Sequence, residues 1–239
     1  MNTKADFQVD SYYHIYNRTN NKEALFKSDE NRTYFLKQYN KYLGPYLEFF
    51  AYALMSNHFH FSVKVKSKEE INTFINNLDS SELTVALKRY KESASFIEQS
   101  DHIIPEQRDR IATSDTISDV IIGQHRRFFI SYTQAINKRY NRQGNLFADR
   151  FKRSQYDPHL KFRYLQYYIH HNGRKHGIVK DFKSYEYHSY QEIITDCSDL
   201  IDRSKVLDWY EGIEDFIAFH ESVQYEDAFR DIDVEGLLG

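Results

Sequence analysis

Two strand-like segments separated by only three residues are the feature that most constrains the fold of this chain. The run LEFFAYAL at 47–54 is almost continuously apolar, and HFHFSVKVK at 58–66 alternates polar and apolar residues. The link between them is Met55-Ser56-Asn57, which is too short for anything but a tight reversal. We therefore predict an antiparallel β-hairpin, with the first strand buried on both faces.

The rest of the chain alternates between strand and helix patterns. A helix near 30–43, capped by Ser28 or Asp29, is stopped by Gly44-Pro45. The remaining predicted elements are strands at 11–18 and within 146–157, helices at 71–78 and 82–98, and helices at 124–140 and 159–174. This order predicts an α+β fold, a central antiparallel sheet packed with helices.

Two stretches differ in character from this core. Residues 67–123 are polar and are interpreted as a helical insertion with a loose stretch at 99–120. Residues 191–239 are interpreted as an acidic, helical C-terminal extension. We therefore expect a domain over 1–190, interrupted by the insertion, followed by the extension.

The charge of the chain is distributed unevenly. The formal net charge is −3, yet residues 124–180 hold 13 Lys/Arg against 2 Asp/Glu, and residues 181–239 hold 4 against 16. A basic block inside an acidic chain is typical of a face that binds a polyanion. The alternative is a solvated surface balanced by the acidic tail, and charge alone does not separate the two.

Composition excludes several classes of protein. With 41% hydrophobic and 28% charged residues, the chain is typical of a folded soluble protein. Its one cysteine, Cys197, cannot form a disulfide framework, and MNTKADFQVD lacks the apolar core of a signal peptide. No apolar run approaches the ~18 residues of a membrane helix. We therefore expect a cytoplasmic protein.

The H-F-H motif places two imidazoles on one face of a strand. Side chains alternate along a strand, so His58 and His60 point one way and Phe59 and Phe61 the other. Their Cα atoms are about 7 Å apart at ~3.3 Å per residue. Two such imidazoles suit one divalent metal ion. The alternative is a pair of hydrogen-bonded histidines on a half-exposed strand.

The helix at 159–174 offers candidates for a third ligand and a reactive group. Tyr164, Tyr168 and Asn172 are spaced four apart and so share one helical face. An adjacent apolar stripe of Phe162, Leu165 and Ile169 would bury the helix. In a chain with 20 tyrosines, most of these rings are expected to be packing residues instead.

Several blocks of the sequence resemble the single-tyrosine HUH transposases, in particular the REP-associated tyrosine transposases. In that family HUH denotes His, a hydrophobic residue and His, here His58-Phe59-His60. The blocks occur in family order over roughly 11–66 and 124–190. They are YHIYNRTNNKEALF, AYALMSNHFHFSVKV, NKRYNRQGNLFADRFKRS, YYIHHNGRKHGIV and SYEYHSY.

The resemblance implies a ferredoxin- or RRM-like core and a specific chemistry. It places the nucleophile on Tyr168 and the metal ligands on His58, His60 and Asn172, with Mg²⁺ or Mn²⁺ as cofactor. The implied enzyme nicks single-stranded DNA near a DNA hairpin and transfers the strand through a 5′-phosphotyrosine. Gly173 stands where the family has proline and Tyr167 where it has arginine, and neither change removes a catalytic atom.

The basic block supplies the DNA-binding residues that this interpretation needs. The relatives suggest a monomer or a homodimer. The expected phosphate contacts are Arg126, Arg127, Lys138, Arg139, Arg142, Arg150, Lys152 and Arg153.

Three other interpretations stay open at this point. One is a domesticated DNA-binding protein that keeps the fold without transposition. Another is a zinc hydrolase, although the chain has neither an H-E-x-x-H motif nor a cysteine cluster. A replication-initiating HUH nuclease is the third, and the flanking blocks favour the transposase group over it.

Overall fold

A four-stranded antiparallel sheet forms the centre of the protein. The structure is a computed structural model and describes residues 4–99, 117–148 and 150–222. The strands are β1 (Tyr12–Arg18), β2 (Leu47–Leu54), β3 (His58–Val65) and β4 (Lys152–Tyr156), in the spatial order β2-β3-β1-β4. The strand order and helix positions are those of a ferredoxin-like unit. The predicted β-hairpin and the predicted α+β class are both confirmed.

Helices cover the sheet, and several more helices come after the last strand in the chain. Short 3₁₀ turns occur at Asn20–Lys22 and Phe182–Ser184. The helices are α1 (Asp29–Leu43), α2 (Lys68–Asn76), α3 (Val85–Gln99), α4 (Ile117–Tyr140), α5 (Pro158–His170), α6 (Asn172–Lys175), α7 (Tyr190–Thr195), α8 (Arg203–Leu207) and α9 (Ile213–Ser222). Among the described residues, no helix has both the length and the apolar character needed to cross a bilayer.

Two helix boundaries differ from the prediction. Helix α4 begins at Ile117, seven residues before the predicted start, because Val120 and Ile121 extend its buried stripe. The predicted helix at 159–174 ends at His170, and α6 continues the chain after a break at His171. The start of α5 is capped by the Asp157 carboxylate, which accepts a hydrogen bond from His159 N at 2.9 Å.

The two faces of the sheet are covered by different helices. On one face, α1 and α4 pack against the phenylalanines of β3: the rings of Tyr39 and Phe61 stack at 4.3 Å, and Phe129 lies 6.2 Å from Phe59. On the other face lies α5, where Gln166 Nε2 donates a hydrogen bond to Ser62 Oγ at 3.0 Å. Helix α5 therefore covers part of the histidine face of β3, where His60 is buried and His58 stays partly exposed.

The polar segment that follows β3 also contributes to the core. Helix α2 starts with a capping box between Ser67 and Glu70, and its Ile71 and Ile75 are buried in the main hydrophobic cluster. Leu87 of α3 joins the same cluster. The predicted loose stretch lies mostly in 100–116, outside the described residues. The domain boundaries at 67–123 and 191 stay a prediction.

The C-terminal part contains the predicted helices, and α9 packs against α5. His220 of α9 and His170 of α5 are buried and hydrogen-bonded through Nε2 and Nδ1 at 2.8 Å. Residues 223–239 of the predicted extension lie outside the described residues.

Candidate active site

Strand pairing brings the histidine pair to the end of β1. In the β1–β3 register His58 lies opposite Arg18, and His60 lies opposite Tyr16. Directly opposed residues of an antiparallel pair point to the same face. The four side chains therefore project towards α5, into a cleft of about 580 Å³. Its lining includes Tyr16, Asn17, Arg18, Lys22, Asn57, His58, His60, Arg150, Lys152, Tyr168 and His176.

The hydrogen bonds of His58 establish which of its nitrogens is available. Its Nδ1 lies 2.7 Å from the side-chain oxygen of Asn57. Because an amide oxygen only accepts, Nδ1 carries the proton and Nε2 keeps its lone pair. Burial, with neighbouring His176 as the next largest cause, lowers the pKa of His58 to about 4. His58 is therefore a neutral imidazole at pH 7, the form that binds metal.

His60 is the more deeply buried member of the pair, with 4% of its surface exposed. Its ring lies 5.2 Å from that of His58, at an interplanar angle of 89°. Its Nδ1 is 3.0 Å from Nε2 of His14 on β1. Burial, with the neighbouring His14 as the next largest cause, holds the pKa of His60 well below its usual range. Both imidazoles of the motif are thus neutral.

Tyr168 of α5 lies edge-on to this histidine cluster. Its ring centroid is 5.5 Å from that of His60 and 5.9 Å from that of His14. Lys175 Nζ lies 4.7 Å from the centre of the Tyr168 ring, and burial lowers the pKa of Lys175 to about 8. The other two tyrosines of the helix point elsewhere. Tyr164 packs against Phe219, and Tyr167 stacks on His171 at 3.8 Å.

Asn172 joins the cluster from the first position of α6. Its Nδ2 donates a hydrogen bond to the carbonyl oxygen of Tyr168 at 3.2 Å, which orients the amide across the helix break. Its Oδ1 is fully buried and accepts no hydrogen bond. The side chain is close enough to His58 to favour the protonated form of that ring and so raise its pKa. A buried oxygen without a donor, beside an imidazole with a free lone pair, is a site suited to a cation.

The donor set is small and mixed. Within 4–99, 117–148 and 150–222, no group of three His, Cys, Asp or Glu side chains is placed to hold a metal ion. The candidate ligands are therefore two imidazoles and one amide oxygen, His58, His60 and Asn172. This set suits Mn²⁺, which accepts imidazole more readily than Mg²⁺ does.

The predicted DNA-binding residues are divided between several places. Arg150 and Lys152 line the cleft. Arg153 points away from it: the side chain is largely buried, and Nε donates to the Ala5 carbonyl at 2.6 Å. Arg139 and Arg142 form ion pairs with Glu30 and Glu23, respectively. Arg126, Arg127 and Lys138 are exposed on α4. These three residues do not line the cleft, and neither do the ion-paired Arg139 and Arg142.

Several residues of the site were not selected from the sequence. They include His14, Arg18, Asn57 and His176. For two of them a signal was available, because alternation along the predicted strand at 11–18 places His14 and Arg18 on the same face. His176 follows α6 and has no comparable local signal, although its ring lies 5.0 Å from that of His58.

Comparison with known proteins gives a match to a family model and a structural neighbour. Residues 7–103, which include His58 and His60, match the family model described as "Transposase IS200 like". A solved structure of a REP-associated tyrosine transposase bound to a REP hairpin has a similar fold, with a TM-score of 0.51 and 12% sequence identity. The similarity covers 83% of this chain and 92% of that one. No curated protein sequence matches the chain. Over residues 7–103 the sequence is therefore similar to IS200-like transposases, and most of the chain shares the fold of a tyrosine transposase.

Proposed function

We propose that this protein cleaves and rejoins single-stranded DNA next to DNA hairpins through a covalent bond to Tyr168. The observation that carries the proposal is the unpartnered Oδ1 of Asn172, buried beside neutral His58 and adjacent in the chain to α5, which carries Tyr168. The match of residues 7–103 to a transposase family model supports a DNA-processing activity in general terms. The residues of the site supply the reasons for this particular chemistry.

His58, His60 and Asn172 are the proposed ligands of Mg²⁺ or Mn²⁺. When bound, such an ion neutralises the charge of the scissile phosphate and polarises its phosphorus. The protein's own part is to keep both imidazoles neutral through burial and to hold the Asn172 amide through its bond to the Tyr168 carbonyl. That bond also links the position of the third ligand to the position of the nucleophile.

Tyr168 is the proposed nucleophile. Its Oη forms a bond to phosphorus while the bond to the 3′ oxygen breaks, so that the 5′ phosphate becomes attached to the tyrosine. The phenol gives its proton to solvent, and the departing 3′ oxygen takes one up as a free 3′-OH. Because the bond energy is kept in the phosphotyrosine, a 3′-OH can later attack it and rejoin the strand.

The proposed substrate is single-stranded DNA beside a hairpin. Arg18, Lys22, Arg150 and Lys152 give the cleft a positive lining, which suits a phosphate backbone. The structural neighbour of the same fold is bound to a REP hairpin, and this supports a DNA hairpin as the partner of this chain. We expect the protein to act in the cytoplasm on DNA, as a monomer or a homodimer.

A covalent-adduct assay tests the proposal directly. Labelled single strands carrying hairpins from the DNA that flanks the gene are incubated with Mn²⁺ and separated on a denaturing gel. We expect a protein–DNA adduct for the wild type, Tyr164→Phe and Tyr167→Phe, and none for Tyr168→Phe. The two control variants lose the same oxygen from the same helix but face Phe219 and His171 instead of the cluster.

The other results have distinct meanings. An adduct that persists in Tyr168→Phe and disappears in Tyr167→Phe would show that the nucleophile is assigned one residue too late. Hairpin binding without any adduct, in any variant and with either metal, would favour a DNA-binding protein that has lost transposition.

A further inference from the structure

His14 lies behind the site, on the neighbouring strand, and the mechanism above does not use it. The side chain is 1% exposed and stacks parallel to His60, with ring centroids 5.1 Å apart and an interplanar angle of 9°. The His14 ring also stacks on Tyr16 at 4.8 Å, and Tyr168 lies edge-on to it. Its Nε2 is 3.0 Å from His60 Nδ1, whereas its own Nδ1 is buried and has no hydrogen-bond partner.

The bond between two neutral imidazoles can be made in two ways. Either His60 Nδ1–H donates to His14 Nε2, or His14 Nε2–H donates to His60 Nδ1. A neutral imidazole carries one N–H, so only the first arrangement leaves a lone pair on His60 Nε2. In the second arrangement the proton of His60 occupies Nε2, and the ring cannot act as a ligand through either nitrogen.

His58 does not have this ambiguity. Its Nδ1 faces the Asn57 side-chain oxygen, which can only accept a hydrogen bond. The two proposed ligands are therefore oriented by different means, one by an amide oxygen and the other by a third histidine. Metal-bound histidines usually donate their second N–H to a carboxylate, a carbonyl or water.

We propose that His14 is a positioning residue that accepts the Nδ1–H of His60 and thereby presents His60 Nε2 to the metal. This inference rests on the proposed function, because it requires His60 to be a ligand. His14 itself does not touch the metal. Its unpartnered Nδ1 carries the His14 proton whenever His60 is metal-bound.

Two substitutions at position 14 separate this role from simple packing. His14→Phe keeps an aromatic ring next to both Tyr16 and His60 but offers no acceptor, so His60 Nδ1–H would be buried unpaired. His14→Gln gives up the ring but retains a side-chain oxygen able to accept that hydrogen. In calorimetric titration with Mn²⁺ at pH 7.5, we expect His14→Phe to bind about 10- to 100-fold more weakly than the wild type. The Mn²⁺ affinity of His14→Gln should stay within about threefold of the wild-type affinity, because the glutamine oxygen retains the hydrogen bond.

A spectroscopic measurement on the unmodified protein gives an independent readout. With ¹⁵N-labelled histidine and saturating diamagnetic Mg²⁺, two-bond ¹⁵N–¹H correlations distinguish the Nδ1–H and Nε2–H forms of each ring. We expect His60 to carry its proton on Nδ1. A proton on Nε2 would overturn the inference, even if His14→Phe proved unable to fold.

The remaining outcomes distinguish this inference from the proposed function. Wild-type affinity for Mn²⁺ in His14→Phe, or an equal loss in His14→Phe and His14→Gln, would overturn the role of His14 and leave the metal site standing. Absence of Mn²⁺ binding by the wild type would overturn both, because no ligand would then need to be oriented.

Discussion

Replacing Asn172 by leucine should leave the metal-free protein as stable as the wild type or make it more stable. The substitution removes the hydrogen bond from Nδ2 to the Tyr168 carbonyl, which costs about 1 kcal/mol. It also removes the buried Oδ1 that has no donor, whose desolvation costs about 1–3 kcal/mol in the wild type. Leucine branches at Cγ as asparagine does, so the net change is about 0 to 2 kcal/mol in favour of the variant.

Asn31 provides a matched control for this substitution. It is also buried, but its Oδ1 accepts hydrogen bonds from Lys27 N at 3.1 Å and from the Tyr140 hydroxyl at 2.8 Å. Asn31→Leu leaves both donors without their partner and should destabilise the protein by about 1–3 kcal/mol. The two variants are therefore expected to change stability in opposite directions.

Thermal unfolding in EDTA measures the difference. For a chain of this size, about 1 kcal/mol corresponds to a shift in Tm of roughly 2–4 °C. Added Mn²⁺ should raise the Tm of the wild type and of Asn31→Leu but not that of Asn172→Leu, because only the last loses a ligand. If Asn172→Leu is destabilised in EDTA as strongly as Asn31→Leu, Oδ1 already has a partner in the metal-free protein, and the argument for a prepared cation site fails.

Three further predictions concern other parts of the molecule. Burial lowers the pKa of His125 to about 3, so between pH 6.5 and 3 the unfolded chain binds a proton that the folded chain does not. His125 should therefore contribute a fall of about 1.4 kcal/mol per pH unit to the free energy of unfolding on acidification through that range, and His125→Gln should remove that contribution in urea titrations. A Cβ atom on Gly173 would lie 2.7 Å from Cγ of Tyr185, so Gly173→Ala should lower the free energy of unfolding by about 1–3 kcal/mol in denaturant titrations. Gly144→Ala is the control: its Cβ would meet no atom, but the positive φ of Gly144 means that this variant tests backbone strain alone. Changing Arg150 and Lys152 together to Glu should weaken binding to hairpin-bearing single strands. The slope of log binding constant against log salt concentration should become shallower by about 0.7 per lost phosphate contact. An unchanged slope would show that these charges only face solvent.

Local sequence patterns were enough to predict the elements that carry the site. A three-residue link between two strand patterns led to the β2–β3 hairpin, and alternation along β3 separated His58 and His60 from Phe59 and Phe61. Asp157-Pro158 is a helix start that can be recognised from residue type alone, and it determines where α5 begins. These features depend on steric preferences and hydrogen bonds between residues close in the chain, so they can be predicted from spacing.

Contacts between distant parts of the chain decided the rest. The strand pattern predicted which face of β3 carries the histidines, but only the docking of α5 shows that His60 is buried and that burial keeps both imidazoles neutral. The hydrogen bond between His14 and His60 joins residues 46 positions apart, and the unpartnered oxygen of Asn172 reflects the absence of a donor in its surroundings. In the sequence, Arg153 belongs to the same basic block as Arg150, yet its side chain donates a hydrogen bond to the Ala5 carbonyl, whereas Arg150 lines the cleft. Burial and hydrogen bonding are properties of what surrounds a side chain, and for these residues the surroundings come from elements far away in the sequence.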